Sequence, residues 1–278
     1  EEALAAFTAQ TGISVSIQTL GDTGTMVSET ILTAGNPLGD VMFGIDNTFL
    51  QRGLDADLFE AYESTNLGGV RAGLDLDPEH RVTPIDFGDV CVNYWIDAVP
   101  HGIPTSLKDL TDPANAGQLV VESPETSSPG LAFLLATIAA TPDWEQYWTD
   151  LVENGVSVTS GWEEAYYGEF VAGGGDRSMV VSYASSPAAE VFFAVEPMDA
   201  PPTGVLLDSC FRQIEFAGVL AGAQNTAGAG AFIDFLLTPT FQEEIPLSMF
   251  VFPALEAAKL PQEFLDHAQL ADSPHLLD

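Results

Sequence analysis

Apolar positions along the chain recur at helical spacing, switch to alternation, and do so again and again. Leu4, Ala5 and Phe7 share one face of a helix over residues 2–10, which Gly12 ends. Ile13, Val15 and Ile17 then alternate with polar residues, the period of a strand. A helix over 23–34 follows, and then an almost continuous apolar run over 40–45, the pattern of a strand covered on both faces. Further on, strands are predicted over 90–96, 118–122, 156–159 and 178–183. Between them fall a short helix over 106–110 capped by Ser106, and a helix over 128–140 with Pro129 in its first turn. Another helix runs from Thr141-Pro142 to about 154–155, one spans 163–172, and one starts at Pro187. Residues 205–220 read as a long strand broken near Ser209, followed by helices over 226–237 and 240–245 and a proline-punctuated tail. Helix alternating with strand predicts an α/β fold. No repeat and no Pro/Gly/Ser linker divides the chain. Two lobes would therefore be joined by ordered segments, for which 86–94 and 207–217 are the natural crossings.

Charge changes the picture most. Seven Lys and Arg face 41 Asp and Glu, a net charge of −34. Phosphate backbones and anionic lipid surfaces repel such a chain, so neither nucleic acid nor a peripheral membrane surface is an expected partner. The excess suits a cationic partner or, more simply, solubility, for example at high salt outside the cell, so a ligand has to be argued from local chemistry. No apolar run approaches the roughly 18 residues of a membrane span. The start, Glu1-Glu2-Ala3-Leu4, is no signal peptide and lies inside a helix, which implies sequence upstream.

Enzyme signatures are missing. There is no GxSxG, HExxH, GxxxxGK[ST] or strand-linked GxGxxG. Gly173 to Gly175 follows a helix and reads as a turn. His80, His101, His267 and His275 fall in polar loops or the tail, and Asp75, Asp77 and Glu79 lack the rest of a calcium loop and read as an exposed acidic stretch. No catalytic residue, metal or cofactor is expected. Cys91 and Cys210 lack ligand-like spacing, so zinc is not indicated, and they are two buried thiols or one disulfide.

Polar and aromatic residues cluster where predicted strands end, the place where open α/β sheets bind ligands. The clusters are Gly44 to Asn47, Asp86 to Gly88, Ser123 to Gly130, Ser160 to Tyr166 and Ser182 to Pro187, with Ile245 to Pro253 closing a helical region. Read as "GIDN", "TSSPGL", "SGWEEAY", "SYASSPA" and "IPLSMFVFP", these segments resemble the thiamine-binding periplasmic proteins of ATP-driven importers. The resemblance runs from about residue 3 to about residue 255, and a weaker one extends to iron(III)- and polyamine-binding relatives, so that the alternatives are the same fold with a polyamine or iron(III) as cargo, or an enzyme or sensor module built on it.

That resemblance implies a two-lobed type II periplasmic-binding fold with two hinge crossings. Lobe one would comprise residues 1–87 and 217–278, lobe two residues 88–216, and the strand with which the family begins is absent from this chain. It implies a monomer whose lobes close on thiamine by hinge motion and dock on an importer permease. The setting would be periplasmic or extracellular, with a lipid-anchored form equally compatible. Residue by residue, Trp162 and Tyr183 match aromatics that stack on the ligand, and Asp46 matches its carboxylate, with Asn47 beside it. Phe250 stands where Trp is common, and Ser127 and Ser128 precede a helix whose N–H groups suit a hydroxyl or phosphate. Each has a plainer reading: Trp162 and Phe250 as core, Asp46, Ser127 and Ser128 as caps. Two departures stand out. Ala189 replaces a frequent Tyr, and Glu125 stands where Arg is common, near the expected phosphate end, so free thiamine should be preferred to its phosphates. Tyr166 and Tyr167 resemble the paired tyrosines of iron-binding relatives, but neighbours on a helix point apart. In the oxidising compartment that the resemblance implies, Cys91 and Cys210 would form a disulfide.

Overall fold

The computed structural model describes residues 2–276. In chain order its elements are α1 (Glu2–Thr11), α2 (Thr23–Leu32), β1 (Val41–Asp46), α3 (Leu50–Asp55), β2 (Phe59–Glu60), β3 (Thr83–Trp95), β4 (Leu119–Glu122), α4 (Ser128–Ala140), α5 (Trp144–Glu153), β5 (Ser157–Thr159), α6 (Trp162–Glu164), β6 (Met179–Tyr183), α7 (Ser186–Phe192), β7 (Thr203–Leu220), α8 (Thr226–Leu236), α9 (Pro239–Gln242), α10 (Ile245–Ser248), β8 (Phe252–Pro253) and α11 (Gln262–His267). This is the α/β class that the hydrophobic pattern predicts. The chain forms two compact units. One holds the chain up to Phe87 together with Ile214–Pro261, the other Gly88–Gln213 together with the chain from Gln262 onward. No helix among the described residues is long and apolar enough to cross a membrane.

In the first unit β1 runs antiparallel to the end of β7, from Val41 opposite Val219 to Asp46 opposite Glu215. The register slips between Phe43 and Ile45. Gly44 sits there with φ of 99°, a backbone state that side chains resist, so the slip is a glycine bulge that re-aims Ile45 and Asp46. β8 pairs with the start of β3, Asp86 opposite Pro253 and Phe87 opposite Phe252. α1 closes the core by setting Phe7 against Phe232 and Phe235, with ring centroids 5.2 and 5.3 Å apart.

The strand predicted over Ile13–Ile17 does not form. Ile13 and Val15 pack on the Phe7 cluster while Ile17 is 72% exposed, and no strand among the described residues pairs with the segment. Alternation alone is insufficient, because an extended segment needs a ladder for its backbone groups. Asp77, expected in an exposed acidic stretch, is buried and accepts two guanidinium bonds from Arg81, at 3.1 Å from Nε and 2.9 Å from Nη2.

In the second unit β6 runs antiparallel to β3, from Val90 opposite Tyr183 to Tyr94 opposite Met179, and β4 lies parallel to both β6 and β5. Val90, Val92, Val121, Phe133, Met179 and Val181 form one buried cluster, and each such side chain contributes about 1.5–3 kcal/mol by leaving water. β7 is continuous where a break was expected. Ser209 is the reason: its hydroxyl accepts the Val92 N–H at 2.8 Å, filling a place in the ladder between neighbouring β3 and β7. Cys91 and Cys210 form a disulfide, so the open choice between thiols and a bond resolves to the bond. The tail from Gln262 is held to this unit by Gln269 N–H to the Ala184 carbonyl, Ala271 N–H to Asp89 Oδ2 and His275 N–H to the Cys210 carbonyl. Arg212 forks onto the buried Asp89, which neutralises that carboxylate.

Candidate functional site

The first unit holds the carboxylate predicted to face a ligand. Asp46 ends β1 and is fully buried. Its Oδ1 accepts the Thr48 N–H at 2.7 Å and the Thr48 hydroxyl at 2.5 Å, an Asx turn. The plainer reading, a cap on the following helix, is not what it does, since α3 is entered through Phe49 without a side-chain cap. Asn47 is clamped to β7: its N–H donates to the Ile214 carbonyl at 3.0 Å and its Oδ1 accepts the Ile214 N–H at 2.9 Å. That oxygen is thus committed to holding the loop. Phe250, half-buried after α10, has a left-handed backbone with φ of 57°. A bulky residue is held there at a cost of about 1–2 kcal/mol, a conformation typical of functional or tightly determined turns.

Asp86 adds a second buried carboxyl to this unit. It is 0% exposed, and neither of its oxygens meets a hydrogen-bond donor among the described residues. Burial, and then the charge of Asp46, push its pKa up to about 8. The linkage has a definite sign. A carboxyl whose folded value lies above its unfolded one, near 4, gives stability that is complete below about pH 4 and lost as pH rises toward 8. The melting temperature of the protein is therefore expected to fall between pH 5 and pH 9. In Asp86→Asn that fall should be flatter by several degrees, as read by calorimetric melts across the range.

The second unit carries the aromatic residues. Its "SGWEE" turn is built by Glu164, whose Oε2 accepts the Ser160 N–H at 3.0 Å and the Ser160 hydroxyl at 2.9 Å. Those bonds hold the Glu164 carboxyl below its usual range. The turn presents Trp162, whose Nε1 donates to the Ser182 hydroxyl at 2.9 Å, and Ser182 in turn bonds the Ser186 hydroxyl at 2.8 Å. Trp162 stacks on Tyr166 with centroids 5.0 Å apart and an interplanar angle of 24°, while Tyr167 meets its edge at 5.4 Å. Adjacent tyrosines were expected to point apart. They do not, because the helix over 163–172 is replaced by α6 and one π turn, Ala165–Glu169, which brings both rings to Trp162. The Tyr166 hydroxyl donates to Glu190 Oε1 at 2.5 Å, and burial together with that carboxylate raises its pKa. A phenol so placed is the opposite of a ready phenolate ligand for iron.

Tyr183, at the end of β6, is half-buried. Its hydroxyl accepts from Gln213 Nε2 at 3.2 Å and its carbonyl from Asn93 Nδ2 at 3.1 Å. Ser127 is the N-cap residue of α4, with Ser128 at the first helical position, and both are buried. Ser127 makes no side-chain cap bond and its hydroxyl has no partner among the described residues, so it is not serving as the cap that the plainer reading assigns it. α4 approaches β4 so closely that a Cβ on Gly130 would lie 2.4 Å from the Glu122 carbonyl oxygen, which explains glycine there. Glu125 is exposed beside this turn, its N–H on the Ser123 hydroxyl at 3.3 Å.

Asp46, Asn47 and Phe250 thus belong to one unit, and Ser127, Ser128, Trp162 and Tyr183 to the other. Sequence weighed Tyr166 and Tyr167 only as an iron-binding pair and did not carry Ser182 or Asp86 over as ligand residues. Tyr166, Ser182 and Asp86 did stand in polar clusters at predicted strand ends, the one signal that could have found them.

Two α/β units thus carry aromatic and carboxylate residues at their strand ends, the place where such sheets take up small solutes. The chain belongs to the family described as bacterial extracellular solute-binding protein, which it matches over residues 36–271. It is 29% identical over 264 residues to the thiamine-binding periplasmic protein of Escherichia coli strain K12, covering 93% of this chain and 77% of that one. It is similar to a solved periplasmic thiamin binding protein, with a TM-score of 0.80 and 25% identity, covering 95% of this chain and 80% of the other. A ferric binding protein from Campylobacter jejuni shares the fold, with a TM-score of 0.77 at 19% identity over 96% of this chain and 87% of that one. The type II periplasmic-binding fold expected from the sequence resemblance is the fold found.

Proposed function

We propose that this protein captures thiamine outside the cytoplasm and delivers it to an ATP-driven importer. The observation that carries the reading is the preassembled aromatic face of the second unit, Trp162 stacked on Tyr166 and fixed through Nε1 to Ser182. A flat face of this kind attracts a cationic ring such as a thiazolium, by about 2 kcal/mol when desolvated. Asp46 supplies the matching negative charge, and a charge-assisted hydrogen bond to it is worth about 1.5–3 kcal/mol. The similarity to thiamine-binding proteins over nearly the whole chain supports the same cargo. Tyr183 and Phe250 add ring surface, Asn47 positions Asp46, and Ser127 and Ser128 offer hydrogen bonds at the start of α4. The protein acts as a monomer, and its importer is recognised through a permease.

The test is competition of thiamine with spermidine and ferric iron for the purified protein. Thiamine should win by at least 100-fold, whereas tighter binding of either rival would replace the cargo.

Glu125 sets the preference among thiamine forms in this reading. Glu125→Arg is expected to raise affinity for thiamine pyrophosphate relative to thiamine by about 2- to 5-fold, the modest scale of an exposed charge. Parallel calorimetric titrations of the two ligands read that ratio.

A further inference from the structure

The Asp46–Asp86 arrangement goes beyond the aromatic face and its single carboxylate. Asp46 lies on β1 and Asp86 on β3, the strands that flank β7, and Glu215 stands opposite Asp46 in the β1–β7 register. Three carboxyl groups therefore sit on three neighbouring strands. The neighbouring cation is Arg71, whose hydrogen bond goes to a carbonyl and not to a carboxyl: its Nε donates to the Pro253 carbonyl at 3.4 Å, and the guanidinium lies 5.9 Å over the Phe87 ring. The charge that acts on Asp86 is that of Asp46. Like charges facing one another across strands oppose folding, and a buried ionised group without a partner opposes it more strongly. Asp86 is nevertheless held in place, paired with Pro253 of β8 and next to Phe87, which stacks on Phe252 at 5.6 Å. Among the described residues no group of three or more His, Cys, Asp or Glu is placed to hold a metal ion. Two buried carboxyls on strands that flank a third suit a proton on one of them, or a cation brought against the pair.

We infer that Asp86 is a second ligand carboxyl of this protein, protonated beside Asp46 in the unliganded state and ionised when a cation is taken up. The reading rests on the protein being a receptor for a cation, as proposed above. The step is balanced simply. The O–H bond of the Asp86 carboxyl breaks, the proton passes to solvent, and the carboxylate left behind faces the positive charge of the ligand. Thiamine's thiazolium is a fixed cation, so that charge does not itself titrate.

The experiment is calorimetric titration of the protein with thiamine at pH 7 in phosphate and in Tris, buffers whose ionisation heats differ widely. The binding heats should differ by the amount due to close to one proton released per thiamine. The association constant should rise by up to about tenfold per pH unit between pH 6 and pH 8. Asp86→Asn should bind with the same heat in both buffers and lose that pH dependence. Should the variant fold poorly, the unsubstituted protein decides the matter alone: an infrared band of a protonated carboxyl must be present without thiamine and disappear on its addition. Binding of thiamine with equal heats in the two buffers, a flat pH profile or no such band overturns the role of Asp86 and leaves the cargo intact. No binding of thiamine at any pH in that range overturns the cargo, and this inference with it.

Discussion

Trp162→Ala is expected to weaken thiamine binding about 30-fold, the equivalent of about 2 kcal/mol of cation–π attraction. Trp162 is the ring at the centre of the stacked cluster. Tyr166 lies behind it in the stack, and its hydroxyl is tied to Glu190. Trp162 also fills space in the cluster with Tyr166 and Phe170, so some stability will be lost with the ring. Trp162→Phe separates the two effects. It keeps a stacking face on Tyr166 but loses the bond to Ser182, and should retain affinity within about 5-fold, the scale of one neutral hydrogen bond. Titration calorimetry and thermal melts on both variants check this. A Trp162→Ala protein that melts lower but binds thiamine unchanged would make Trp162 a core residue after all.

The second large effect concerns the disulfide. Cys91 and Cys210 are separated by 119 residues, and on the chain-entropy model cross-linking so long a loop contributes about 5 kcal/mol. Cys91→Ala/Cys210→Ala, or reduction of the unsubstituted protein, is expected to lower the melting temperature by about 10 °C or more. The loss should fall on the second unit, because both cysteines and the tail segment bonded to Cys210 belong to it. Calorimetric melts with and without reductant measure it, and amide exchange shows which unit opens. The account would be wrong if reduction, confirmed by thiol titration, left the melting curve unchanged.

Much of the fold was legible because the strands that build the sheet are short apolar runs bounded by turn residues. β1, β4 and β6 fall within a residue or two of where the pattern puts them. The failures have physical causes. Ile13–Ile17 alternates correctly, but pairing is a property of a neighbour, and a strand cannot be read without one. Ser209 looked like a break in β7, yet a side-chain hydroxyl in place of a carbonyl lets the ladder continue. The π turn after Trp162 depends on one extra residue in the helical circuit, which no periodicity over so few residues reveals, and it is what brings Tyr166 and Tyr167 together. In the candidate site, residue types at strand ends pointed to Asp46, Trp162 and Tyr183. Asp86 escaped because its significance lies in its burial and in the charge of Asp46 across β7, neither of which is written in local sequence.

The most direct test is calorimetric titration of the protein with thiamine. Capture of thiamine predicts saturable one-to-one binding with Kd below about 1 µM. No heat with thiamine at any temperature tried, together with saturable binding of spermidine or ferric iron, would contradict it.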